Sequence, residues 1–119
     1  MIRPDNGLER VYVYRHPVDM RKAIHGLVVL VESVLCLDPF SSQLFVFCNR
    51  RWDILKMVWW ERNGFCLWQK RLQKERFKWP LHLDGEVITL TGQQLNWLLD
   101  GYDLSVMKPH RSLHYRSVL

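Results

Sequence analysis

The chain has no apolar run near the roughly 18–20 residues that a membrane-spanning helix requires. Leu27 to Val31, as long as any, is five residues. Residues Met1 to Arg10 are polar and carry both signs of charge, without the apolar core of a secretion signal, so a cytoplasmic chain is expected. Cysteine is scarce: Cys36, Cys48 and Cys66 are an odd set with no CxxC pair. That spacing offers neither a disulfide framework nor a zinc site, and all three read as small buried hydrophobes. His110 and His114 lack a third ligand nearby, so no metal and no cofactor are expected. There is no GxxxxGK[ST] phosphate loop and no nucleophile elbow. The acids Asp19, Asp38, Asp53, Asp84, Asp100 and Asp103 fall in turns and caps rather than converging on strands, as metal-dependent phosphoryl transfer would need. The expectation is a protein that is not an enzyme.

What is present is enough hydrophobic material for one core, 48% of 119 residues, and a very uneven charge. The net charge is +5. Nine cations lie between Arg50 and Trp79: Arg50, Arg51, Lys56, Arg62, Lys70, Arg71, Lys74, Arg76 and Lys78. Only Asp53, Glu61 and Glu75 oppose them, so the whole positive surplus sits in this segment. The same stretch holds Trp52, Trp59, Trp60, Trp68 and Trp79, five of the six tryptophans. Localised charge of one sign is the usual footprint of a polyanion partner.

Local patterns place these residues on elements. Val11 to Tyr14 is β-branched and aromatic, a strand ended by Pro17. Asp19 stands as an N-cap before a helix over Met20 to Leu35, whose stripe Ile24, Leu27, Val28, Val31 and Leu35 has helical spacing. Gly26 within it would permit close packing. Asp38-Pro39-Phe40-Ser41-Ser42 is a turn, and Gln43 to Cys48 a strand buried on both sides. Ile54 to Trp60 and Phe65 to Lys70 are two more strands, joined by a hairpin signalled by Asn63-Gly64. Pro80 closes an irregular basic stretch, and Val87 to Leu90 is a short strand. Thr91 and Gln94 have the spacing of a capping box for a helix over Gln93 to Asp100 that ends at Gly101.

Alternation along the strands suggests that Lys56, Trp60, Trp68 and Lys70 share one hairpin face. With Arg50, Arg51, Arg71, Lys74, Arg76 and Lys78 they form a candidate nucleic-acid surface, the cations neutralising phosphates and the rings stacking on bases. The same residue types also suit a protein-binding surface, and tryptophan is most often core.

The ordered run Asp19-Met20-Arg21-Lys22, Gly26-Leu27 and Asp38-Pro39-Phe40-Ser41 resembles the TnpB accessory proteins of insertion-sequence-66 type transposons. The resemblance continues through Leu44 to Phe47, Asn49-Arg50-Arg51, Asp53, Lys56, Trp60, Gly64-Phe65, Leu67, Lys70-Arg71-Leu72, Arg76-Phe77 and Trp79-Pro80. It ends at Leu90-Thr91, Gln94-Leu95, Leu98-Leu99 and Gly101, spanning roughly residues 8 to 104. Ser42 and Glu75 stand where that family has Gly, and Trp52 lies in a turn where it has no Trp. The resemblance implies a part in transposition beside a separate transposase that carries the chemistry, and it assigns no binding residues.

The expectation is therefore an α+β domain over 1–104, a mostly antiparallel sheet of hairpins packed on one main helix with a short C-terminal helix, followed by a basic, flexible tail over 105–119. Its function would be non-catalytic contact with transposon-end DNA, with the transposase complex, or with both. The alternative is a protein-only adaptor that binds transposase and other element-encoded proteins without touching DNA.

Overall fold

The computed structural model describes residues 10–107. The chain runs β1 (Val11–Tyr14), α1 (Ile24–Ser33), β2 (Leu44–Cys48), β3 (Ile54–Glu61), β4 (Gly64–Arg71), β5 (Val87–Leu90) and α2 (Gly92–Leu99). One five-stranded sheet has the order β4-β3-β2-β1-β5. As expected, β2, β3 and β4 are an antiparallel meander. β1 pairs with β2 in parallel, Val11 opposite Leu44 and Val13 opposite Val46. Parallel neighbours need a crossover, and α1 supplies it. β5 closes the other side antiparallel to β1. The fold is α+β.

The pleat sends alternate residues into two cores. On one face Leu27, Val31 and Leu35 of the α1 segment cover Phe45, Phe47 and Val58, with Tyr12 stacked on Phe45. On the other, Leu95, Leu98 and Leu99 of α2 join Phe77 and Trp79 over Val11, Val13, Val46, Leu55, Met57, Ile88 and Leu90. β2 is central and covered on both sides, which explains its unbroken apolar run. Leu27 and Val31 are fully buried; each contributes about 1.5–3 kcal/mol relative to exposure.

Four local expectations are corrected. The helix starts at Ile24 rather than Met20, and Asp19 is not its cap; Ala23 occupies the N-cap with no side-chain bond. Instead the Asp19 carboxylate accepts the Arg21 amide at 2.9 Å and grips the Arg21 guanidinium. The cause is long-range: Lys56 Nζ donates to the carbonyls of Met20 and Lys22, both at 2.9 Å. A helix through residues 20–26 would use those carbonyls for its own ladder. Gly26 accordingly faces Lys22, whose Cβ would lie 3.3 Å from an added Cβ, and not a sheet strand. The hairpin loop is Arg62-Asn63, with Arg62 at φ 53 and Gly64 already paired to Glu61 in the ladder. Of the cysteines, Cys48 is buried, Cys66 half-buried and Cys36 exposed, at φ 56 beyond the end of α1.

The second helix forms as its sequence implies. Thr91 Oγ1 accepts the Gln94 amide at 3.1 Å while Gln94 Oε1 accepts the Thr91 amide at 2.9 Å. Gly101 follows the C-cap at φ 92, a left-handed conformation that glycine adopts freely. Leu104 is buried and Leu104–Val106 form a turn. Residues beyond Met107, including His110 and His114, lie outside the described residues, and with them most of the expected tail.

Candidate nucleic-acid interface

The connection from β2 to β3 is built around one side chain. Asn49 Oδ1 accepts the amides of Asp53 and Ile54, both at 3.0 Å, and Asn49 Nδ2 donates to Asp53 Oδ1 at 2.6 Å. Its main chain binds Ile54 O and the Trp52 amide. Trp52 takes a left-handed φ of 59 and turns its ring onto Trp79, with centroids 5.5 Å apart. The Phe77 amide bonds Trp52 O at 2.7 Å, and Trp79 Nε1 donates to Tyr14 O at 3.0 Å. A tightly bonded base of this kind leaves Arg50 and Arg51, at the crest of the loop, exposed.

Beside the crest lies an open cleft of about 460 Å³ between the Val18–Arg21 segment, the loop and the Ile54/Arg71 end of the hairpin. Arg21, Arg50, Arg51, Lys56 and Arg71 line it, with Asp19 as the acid on its wall. The guanidinium of Arg21 holds the Asp19 carboxyl down to about 2, so this carboxylate is ionised but committed to Arg21. Asp53, close to the loop, is also held low, first by the Asn49 hydrogen bond and then by Arg51 and Arg71. Among the described residues, Arg50, Arg51 and Arg71 have no ion-pair partner. Lys56 is 8% exposed, its ammonium bonded to the two carbonyls. It shapes the cleft wall and adds positive potential rather than reaching outward.

The structure does not assemble the expected single hairpin face. Cross-strand partners share a face, and the register pairs Lys56 with Gln69, Trp60 with Phe65, Met57 with Trp68 and Leu55 with Lys70. Lys56 and Trp60 therefore point to the α1 side, and Trp68 and Lys70 to the α2 side. The two-residue loop sets this register. Trp68 packs, half-buried, against the α2-side core. Lys70 Nζ donates to Leu99 O at 2.9 Å, a cation on the carbonyl end of α2. Lys70, Lys74 and Arg76 border a second, smaller cleft of about 190 Å³ next to Asp100. Lys78 is exposed between the buried Phe77 and Trp79, near Asp103. The basic residues thus wrap around one end of β4, Arg71 on one side and Lys70, Lys74 and Arg76 on the other.

Trp60 sits at the opposite end of the hairpin. Its ring meets Phe40 and Phe65 edge-on, each with centroids 5.0 Å away, and Phe40 is 54% exposed. Phe40 and Arg21 lie outside the nucleic-acid surface expected from sequence; both come from loops that only the fold brings to the sheet. The exposed Asp-Pro-Phe turn was a legible signal for the first.

The sequence pattern of IS66 Orf2 like protein matches residues 9–109. Two relatives come from Sinorhizobium fredii (strain NBRC 101917 / NGR234). One, uncharacterized protein y4hO, is 39% identical over 100 residues, covering 84% of this chain and 86% of its own. The other, uncharacterized protein y4jC, is 38% identical over 103 residues, covering 82% of this chain and 87% of its own. No solved structure matches the chain. The matched span takes in both sheet faces, the Asn49 loop and the whole of β4, the region whose residues carried the resemblance. The chain belongs to the IS66 Orf2-like protein family.

Proposed function

We propose that this protein is a non-catalytic accessory factor of transposition that grips the phosphate backbone of transposon-end DNA with the cleft beside the Asn49 loop. Family membership supports the accessory role in transposition. The observation that carries the DNA contact is the set Arg50, Arg51 and Arg71: three guanidinium groups with no ion-pair partner among the described residues, on a rigid loop and a strand end, around an open cleft. Guanidinium forks bind phosphate oxygens in bidentate fashion. Lys56 raises the local potential from the wall, while Arg21 offsets Asp19 there. Lys70, Lys74, Arg76 and Lys78 extend the positive surface around the strand end, so the duplex backbone has more than one contact.

Titration of transposon-end duplex at several salt concentrations tests this. The affinity should lie around 10⁻⁴ to 10⁻⁶ M at physiological salt, with a log–log salt slope of about −0.9 per phosphate neutralised. Arg50→Glu with Arg51→Glu should weaken binding and flatten the slope by about 2. Unchanged affinity and slope in that double variant would refute the cleft. A second reading, docking to transposase alone, is favoured by exposed Phe40 and the half-buried Trp60 and Phe65 beside it, since aromatic rings are enriched at protein interfaces. Absence of DNA binding at low salt, with transposase capture lost in Phe40→Ser, would select it.

A further inference from the structure

Among the described residues the sheet ends in two unpaired edges of different character. β5 is four residues long. β4 is eight, contains no proline, and pairs with β3 without a bulge from Ile54–Arg71 to Glu61–Gly64. The Glu61–Gly64 pair closes a two-residue loop, which makes it a hydrogen-bonded pair, as are the alternate pairs Trp59–Cys66, Met57–Trp68 and Leu55–Lys70. The Leu72 amide bond to Asp53 O at 2.8 Å continues that phase. The peptide groups of Phe65, Leu67, Gln69 and Arg71 therefore point away from β3. Among the described residues no backbone group reaches them. Proteins ordinarily blunt such an edge with short length, proline, a bulge or charge. Here the charge is confined to one end, and the Lys70 ammonium is turned back onto Leu99.

We infer that β4 pairs antiparallel with β4 of a second copy of this chain, about a two-fold axis at Trp68, joining the two sheets into one. Cross-strand partners must share a face, and the outward peptide groups must meet each other. Those two conditions give a register in which Phe65 faces Arg71, Leu67 faces Gln69, Cys66 faces Lys70 and Trp68 faces its own copy. All four outward groups of each strand are then satisfied. Registers shifted by two residues in either direction leave one of the four beyond the partner strand. The chosen register also avoids like-charge pairs: no cation lies directly opposite another. Each Arg71 guanidinium, exposed in the single chain, lies next to the Phe65 ring of the aromatic cluster, a cation–π arrangement. Trp68 against Trp68 and Leu67 beside the Gln69 stem cover apolar surface on both faces. Self-complementarity is what selects a second copy over an unrelated strand.

Sedimentation equilibrium of the full chain over a wide concentration range should show mass rising from 14.4 kDa to twice that value. Gln69→Pro deletes an outward N–H and leaves the ladder to β3 intact, as proline is tolerated on that side of an edge strand. It should give a monomer at all concentrations with an unchanged circular dichroism spectrum. A wild-type protein that stays at the monomer mass, or a Gln69→Pro protein that still dimerises, would overturn the inference. Register is read independently in a Cys36→Ser background. The double variant Leu67→Cys with Gln69→Cys should form a reducible inter-chain disulfide on oxidation, because facing residues of this pair type have Cα atoms about 5.5 Å apart. Neither single variant should do so. Cross-linking by Leu67→Cys alone, or none in the double variant, would refute the proposed pairing.

Discussion

Asn49→Ala should loosen the loop on which Arg50 and Arg51 stand, and the structure sets the size of the effect. The substitution removes the acceptor for two main-chain amides, those of Asp53 and Ile54, at a half-buried site. Each such bond is worth about 0.5–1.5 kcal/mol net, so about 2 kcal/mol is lost. In a domain near 100 residues that lowers Tm by roughly 8–16 °C. The bond from Asn49 Nδ2 to Asp53 adds a pH signature. Asp53 is held below its usual range chiefly by that donor. Its contribution is present above the ordinary carboxylate range and disappears as the carboxylate protonates on acidification. The gap between wild type and Asn49→Ala should therefore narrow at low pH. Asn49→Asp keeps an acceptor for both amides but sets a carboxylate against Asp53. It should fall between the two at neutral pH and move toward wild type as pH drops. Thermal melts of the three proteins across pH, followed by circular dichroism, read all of this. A fall in Tm below about 2 °C for Asn49→Ala would show that the bonded base does not hold the loop.

Thr91→Ala breaks the capping box of α2 and should cost about 0.5–2 kcal/mol, seen as a lower melting temperature. Ser42 holds a left-handed φ of 64, so Ser42→Gly should stabilise by about 0.5–1 kcal/mol in urea unfolding; destabilisation would refute a strained backbone there. Burial pushes the Cys48 thiol up to about 12. A thiol reagent at mild alkaline pH should modify exposed Cys36 rapidly in the native protein and leave Cys48 intact by mass spectrometry; equal labelling rates would contradict its burial. Asp19 should titrate near 2 by NMR and rise toward the ordinary carboxylate range in Arg21→Ala, which removes the guanidinium and keeps the amide donor. Its ion pair with Arg21 is present above that ordinary range and is lost as pH falls through about 2.

The sequence by itself determined the features that depend on near neighbours. The strand Val11–Tyr14, the run into Cys48, the capping box at Thr91 and the glycine stop at Gly101 are all set by side chains within a few residues of one another, and the structure reproduces them. The concentration of cations between Arg50 and Trp79 was equally plain, because charge can be counted along a chain. Tertiary structure alone decided how that charge is distributed. The Arg62-Asn63 loop fixes a register that sends Lys56 and Trp60 to one face and Trp68 and Lys70 to the other; a loop one residue longer would change those partnerships. Lys56 illustrates the reason most directly. Its ammonium binds carbonyls 36 and 34 residues earlier in the chain, holds the Asp19–Lys22 turn out of the helix and so forms one wall of the cleft. No pattern in the neighbourhood of Lys56 or of Asp19 encodes that contact. It exists because the parallel pairing of β1 with β2, across the α1 crossover, brings the two segments to the same end of the sheet.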